Sequence, residues 1–392
     1  MRALDDLNVL SLAQIYNGPY CALMLSYLGA DVVKIEPPGG ENIRSRDEDG
    51  LTPEVIMLNS SKESITIDLK QDRGKELLKS LVTEADILIE NYATGTMDRL
   101  GLGYETLSDI NPELIYAHSS GYGEEGPYTD YPAMDLTIQA MGGVMDVTGF
   151  PDQQPVKAGV QVADFLGGIH LFGGILAAVH QRDRTGEGQF VEVGMLDAIY
   201  PTLLSPMAAH YRVPEAPPRT GNRHSGLAIC PYNVYEAHDG YIAIICVNER
   251  HWKRLANIID PETLLNTPKY ETNEKRKERM DELDQIIQDW TKTKSRESLA
   301  DALLSEGVPC APVQKRDEVL FDHHLEARGM VHEIEHPGFG RIRVPGSPIR
   351  LHNSNDPEIT PAHIAGQANE EVLTRHGLSK EEIAELVDEE II

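Results

Sequence analysis

The stretch LNVLSLAQIYNGPYCALMLSYLGADVVKIEPP, residues 7–38, decides the fold. LNVLSLA is a short apolar run of strand length. PYCALMLSYLGA follows with helical spacing, and Gly29 suits a helix C-terminus because glycine adopts the left-handed conformation at no steric cost. DVVKIEPP is a second strand, stopped by Pro37 and Pro38. The pattern then repeats outward. SITIDL reads as a strand, DRGKELLKSLVTEA as an amphipathic helix, DILIEN as a strand, ELIYAHSSGYG as a strand and turn. FLGGIHLFGGILAAVHQR reads as a long buried helix ended by RTGEGQ, and FVEVGML as another strand. Strands alternating with helices predict a doubly wound, parallel α/β sheet.

The pattern changes after residue 199. RVPEAPPRTGNRHSG is rich in Pro and Gly and reads as a linker. PYNVYEAHDGYIAIICV reads as a hairpin with Asp239-Gly240 as its turn. Helical segments follow from Glu249 through Glu306, then extended strands and turns, then a short acidic helix, SKEEIAELVDEEII. The expected organisation is a large Rossmann-like domain over 1–198, a linker over 199–225, a smaller α+β domain over 226–320 and a second linker over 321–370. The tail, 371–392, is expected to pack back on the large domain.

A chain of 392 residues is long for one core, which fits two domains. The net charge of −28, from 35 basic and 63 acidic residues, argues against nucleic acid or an anionic membrane surface as main partner. It leaves room for an anionic ligand in a local basic pocket. Four cysteines without CxxC spacing suggest reduced thiols and a cytoplasmic protein. The acidic start lacks the features of a secretory signal, and no unbroken apolar run approaches the roughly 18 residues of a membrane span.

HEIEH, His332 to His336, satisfies the zinc-protease pattern H-E-x-x-H. That chemistry needs a helix, whereas MVHEIEH alternates like a strand and Pro337-Gly338 follow at once. On a strand the two histidines would stand about 13 Å apart, too far to share a metal. No metal site is expected. There is no G-x-S-x-G elbow, no G-x-G-x-x-G after the first strand and no GxxxxGK[ST], so serine hydrolysis and nicotinamide or ATP binding lack support. One carboxylate stands out. Asp164 precedes the glycine-studded helix in KAGVQVADFLGG. As an N-cap it would accept backbone N–H bonds. As a nucleophile it would be kept ionised by the helix dipole, reached past Ala163, Gly167 and Gly168, and assisted by free N–H groups holding an oxyanion. Close helix packing is the plainer reason for the glycine pairs. Spacing alone leaves both roles of Asp164 open.

The chain resembles the class III coenzyme A transferases, the CaiB/BaiF family, which includes formyl-CoA:oxalate transferase. The resemblance rests on YNGPYCALMLSYLGADVVKIEPPGGE, NSSKESITIDLK, DILIENYATGTMDRLGLGYETL, GYGEEGPYTDYPAMD, KAGVQVADFLGG and RTGEGQFVEVGMLDA. Weaker matches, PYNVYEAHDGYIAI and EHPGFGRIRVPGSPIRL, extend it over almost the whole chain. The resemblance implies that Asp164 is the nucleophile, passing through an aspartyl mixed anhydride and an aspartyl-CoA thioester. It implies CoA contacts at Tyr16, Asn17, Ile67, Lys70, Asn91, Tyr92, Arg99 and the segment Tyr131 to Met134. A family arginine after the second strand is replaced by Pro37, with Arg44 as a candidate substitute.

CoA and acyl-CoA are then substrates rather than permanent cofactors, and the second substrate is a small carboxylic acid. Arg223 or His224, in GNRHSG, are candidates to hold a carboxylate, which points to a dicarboxylate such as succinate or oxalate. An interlocked homodimer is implied as well. Related 2-methylacyl-CoA racemases carry a histidine where Met134 stands, and methionine cannot exchange a proton, so transfer is favoured over racemisation. A non-catalytic acyl-CoA binding protein is the remaining alternative.

Overall fold

The computed structural model describes residues 1–47 and 50–392. The chain divides into two compact units. Met1–Met141, Val160–Tyr200 and Leu320–Ile392 form the first, Gly142–Gly159 and Pro201–Val319 the second.

The first unit is built on six strands, β1 (Asn8–Ser11), β2 (Asp31–Glu36), β3 (Glu63–Thr66), β4 (Ile87–Glu90), β5 (Ile115–Ser120) and β6 (Gln189–Gly194). All pair in parallel, in the order β3-β2-β1-β4-β5-β6. The doubly wound α/β class is borne out, and the order is that of dinucleotide-binding folds. The pleat explains the apolar runs. Ile87 and Ile89 enter the core on one face of the sheet while Leu88, between them, enters the core on the other. Each such buried aliphatic side chain contributes about 1.5–3 kcal/mol.

Five helices matter for the site: α1 (Asn17–Tyr27), α2 (Asp72–Val82), α3 (Thr96–Leu100), α4 (Asp135–Met141) and α5 (Val162–Thr185). α1 and α5 pack on each other on one face of the sheet, burying Leu171, Phe172 and Ile175 beside Cys21, Met24 and Leu25. α5 is long and apolar enough by composition to cross a bilayer, a length not visible as an unbroken run because Asp164, His170 and His180 interrupt it. It ends at Gly186, in the left-handed conformation, whose N–H caps Arg182 O. α2 and the C-terminal helices Asn369–Arg375 and Lys380–Asp388 contribute to the other face, with Val372, Leu373, Ile383 and Leu386 in its core.

β10 (Val331–His336) and β11 (Gly340–Pro345), in the first unit, form an antiparallel hairpin. HEIEH is therefore strand. His332 and His336 each meet a backbone carbonyl, of Gly329 and Ala362. In the second unit β7 (Tyr232–Ala237), β8 (Gly240–Ile245) and β9 (Cys310–Pro312) form an antiparallel sheet over a core that includes Trp252, Leu283 and Leu299. Gly240 pairs with Ala237, so the hairpin turn is His238-Asp239 rather than Asp239-Gly240. Within the predicted linker, Leu204–Arg212 is helical. Its Leu, Met and Ala content favours helix, and the proline-rich stretch begins only at Pro214.

Candidate active site

In a sheet of this order the connections reverse direction between β1 and β4, and a crevice opens beyond the carboxyl ends of those strands. A cavity of about 470 Å³ occupies that crevice. Its walls are the segments that follow β1 (Ile15–Asn17), β4 (Asn91–Thr94), β5 and β6, together with Tyr131–Asp135 and Asp164 from the start of α5. All lie in the first unit.

The segment after β1 is held under strain. Ile15 has φ of 68°, a left-handed conformation that a β-branched residue adopts at a cost of roughly 1–3 kcal/mol. Its N–H donates to Glu41 Oε2 at 2.7 Å. Glu41 Oε1 stands 2.6 Å from Lys34 Nζ in an ion pair. Lys34 Nζ in turn donates to Ala13 O at 3.0 Å. Both side chains are buried. On the other lip, Asn91 exchanges two bonds with the Gln14 backbone, at 2.8 and 2.9 Å, tying the β1 and β4 loops together.

Asp164 is the third residue of α5, not its N-cap, which is Gln161. The capping role is therefore not used. Ala163 N–H instead donates 2.9 Å to Oδ1 of Asp135, from α4. Asp135 Oδ2 accepts Gln139 Nε2 at 2.6 Å. Burial first, and the Asp135 charge second, push the Asp164 carboxyl up to about 7. The helix dipole does not keep it in the ordinary carboxylate range, because desolvation and a like charge outweigh it. The glycines serve packing. A Cβ on Gly167 would stand 2.5 Å from Asn17 Nδ2, and one on Gly168 2.5 Å from Asn17 O, so they let α1 close on α5 rather than open a path for an acyl group.

Of the residues expected to contact CoA, Tyr16, Asn17, Asn91, Tyr92, Arg99, Tyr131 and Met134 line this cavity with Asp164. Tyr92 is held up to about 12 by burial. Arg99 is exposed, its Nη2 donating to Thr96 Oγ1 at 2.8 Å. Ile67 and Lys70 are not brought there: Ile67 packs in the core beneath the sheet, and Lys70 is exposed at the turn before α2. Arg44 is not a free substitute for the missing arginine. It is buried and grips Glu36 through two 2.7 Å bonds. Arg46, which sequence reasoning missed, lines the cavity instead. Arg223, in the second unit, is bound to Asp281 and Asp284 at 2.6 Å, and His224 Nδ1 faces Ser225 O at 2.7 Å. Arg223 is thus committed to an internal ion pair and is not open to a carboxylate.

The missed residues had one usable signal. In a parallel sheet the carboxyl ends of β1 and β2 share an edge, so Glu41 and Arg46, just beyond IEPPGG, had to lie beside the loop after β1.

The profile described as CoA-transferase family III matches residues 4–367. The succinyl-CoA:mesaconate CoA-transferase of Haloarcula hispanica is 39% identical over 90% of each chain. The formyl-CoA:oxalate CoA-transferase of Streptomyces avermitilis is 35% identical over 97% of each. The crystal structure of a CaiB/BaiF family protein from Brucella suis superposes with a TM-score of 0.85 at 33% identity, covering 96% of this chain and 99% of the other. A parallel sheet with a carboxylate-bearing cavity at its switch point and similarity along nearly the whole length agree: the chain belongs to CoA-transferase family III.

Proposed function

We propose that the protein transfers coenzyme A from an acyl-CoA to a small dicarboxylic acid, with Asp164 as covalent nucleophile. The observation that carries this reading is Asp164 itself, a half-buried carboxylate in the switch-point cavity with a raised pKa. Such a group is ionised in useful amount near neutral pH, and its weak solvation makes the ionised form a better nucleophile than a solvated one.

The steps balance without a metal or an external proton. An Asp164 oxygen attacks the acyl carbon, the C–S bond breaks and CoA thiolate leaves, giving a mixed anhydride. The thiolate then attacks Asp164 Cγ and expels the donor acid, leaving an aspartyl-CoA thioester. The acceptor carboxylate attacks the same Cγ and releases thiolate. Thiolate attack on the acceptor's acyl carbon finally frees Asp164 and the new thioester. The cations Arg46 and Arg99 on the cavity wall suit CoA phosphates. A dicarboxylate acceptor is supported by the names of the relatives, which include succinate, mesaconate and oxalate enzymes. Met134 stands in the cavity without a titratable proton, and Asp135 has both oxygens engaged, so nothing there favours a two-base racemisation.

The test is intact-mass spectrometry of the protein mixed with succinyl-CoA and no acceptor. A CoA adduct is expected in the wild type and not in Asp164→Ala, whose turnover should fall by orders of magnitude. An adduct on Asp164→Ala, or turnover retained by it, would overturn the reading.

A further inference from the structure

Asn17 carries a buried side-chain amide at the start of α1. It is 2% exposed, and among the described residues neither Nδ2 nor Oδ1 has a hydrogen-bond partner. Buried side-chain amides are nearly always satisfied, so this one calls for a reason. It lines the same cavity as Asp164. Its nitrogen lies against Gly167, one turn along α5 from Asp164 and on the same helix face. Met195 closes the other side, where a Gly167 Cβ would come within 3.1 Å of Met195 Cγ.

The chemistry needs a donor there. Two of the four steps, thiolate attack on the anhydride and acceptor attack on the thioester, build negative charge on an oxygen of Asp164 itself. Of the backbone N–H groups flanking Asp164, Ala163 donates to Asp135 and Phe165 to Gln161 O. The Asn17 amide has two free N–H bonds. Its loop is fixed by the Glu41 bond to Ile15 and the Asn91 bonds to Gln14, so the donor is in position before charge develops. Resting on the covalent role proposed for Asp164, we infer that the Asn17 side chain is the oxyanion donor for the tetrahedral intermediates at Asp164 Cγ.

The test is rapid-quench mass spectrometry of CoA adduct formation from succinyl-CoA without acceptor, in wild type, Asn17→Ala and Asn17→Leu. Both variants should form the adduct about 10²–10³-fold more slowly than wild type. The KM for acyl-CoA should move by less than about threefold, since the interaction belongs to the transition state. Melting temperature should not fall in Asn17→Leu, which keeps the volume and removes an unpaired amide. Adduct formation at the wild-type rate in Asn17→Leu overturns the inference and leaves Asp164 standing. So does a loss of rate matched by unfolding of that variant. No adduct in the wild type is the distinct failure of the Asp164 reading.

Discussion

The Asp135 carboxylate accepts the Ala163 backbone N–H at 2.9 Å, which fixes a second negative charge one residue away from Asp164. The pair sets the pH dependence. Asp164 is raised to about 7 by burial and then by Asp135, and attack requires its ionised form. Activity should therefore rise with pH through about 7 and fall by about tenfold per unit below it. Asp135→Asn keeps an acceptor for Ala163 and removes the charge. The midpoint of kcat/KM should then move down while burial still holds it above the ordinary range. An unchanged midpoint would mean that Asp135 does not act on Asp164.

Glu41 carries the strained loop. Glu41→Ala leaves the Ile15 N–H and the Lys34 ammonium buried without it. Removing one member of a buried pair costs about 3–5 kcal/mol. Urea unfolding should show that loss, and the KM for acyl-CoA should rise as Tyr16 loosens. Glu41→Gln, which can still accept from Ile15, should lose less. Equal stability of Glu41→Ala and wild type would show that the network does not hold the loop.

The two arginines beyond β2 should separate stability from binding. Burial alone would push Glu36 up, but Arg44 and Lys34 outweigh it and hold its carboxyl at about 2. Arg44→Ala strands that charge and should cost about 3–5 kcal/mol. Arg46→Ala, at an exposed position, should change stability by less than about 0.5 kcal/mol. It should raise the KM for acyl-CoA several-fold, with a smaller effect at high salt. The opposite division would reverse the two assignments.

The glycines of α5 divide in the same way. Gly173 is exposed with open space around its would-be Cβ, so Gly173→Ala should stabilise the protein by about 0.5–1 kcal/mol. At Gly167 the new methyl meets Asn17 and Met195, and the strain should cost about 1–3 kcal/mol despite better helix propensity. Chemical denaturation of both variants checks the contrast.

These residues also mark what could be read in advance. β1, α1 and β2 were legible because apolar period, Gly29 and the paired prolines are local signals. Asp164 was visible as a candidate because few acids interrupt α5. Its setting was not visible, since Asp135 reaches Ala163 from 28 residues away and Glu41 reaches Ile15 across 26. The lack of a partner for Asn17 is a property of packing, as is the commitment of Arg44 to Glu36. Sequence pattern reports which side chains are available, and the fold decides which of them are already spent.

The most direct measurement follows oxygen. With an acceptor acid carrying oxygen-18 in its carboxylate, attack on the aspartyl-CoA thioester leaves a labelled bridging oxygen in the anhydride. Thiolate attack on the acceptor's acyl carbon then leaves that oxygen on Asp164. After one turnover, mass spectrometry of the peptide containing Asp164 should show one added label. Turnover with no label in that peptide would contradict a covalent role for Asp164.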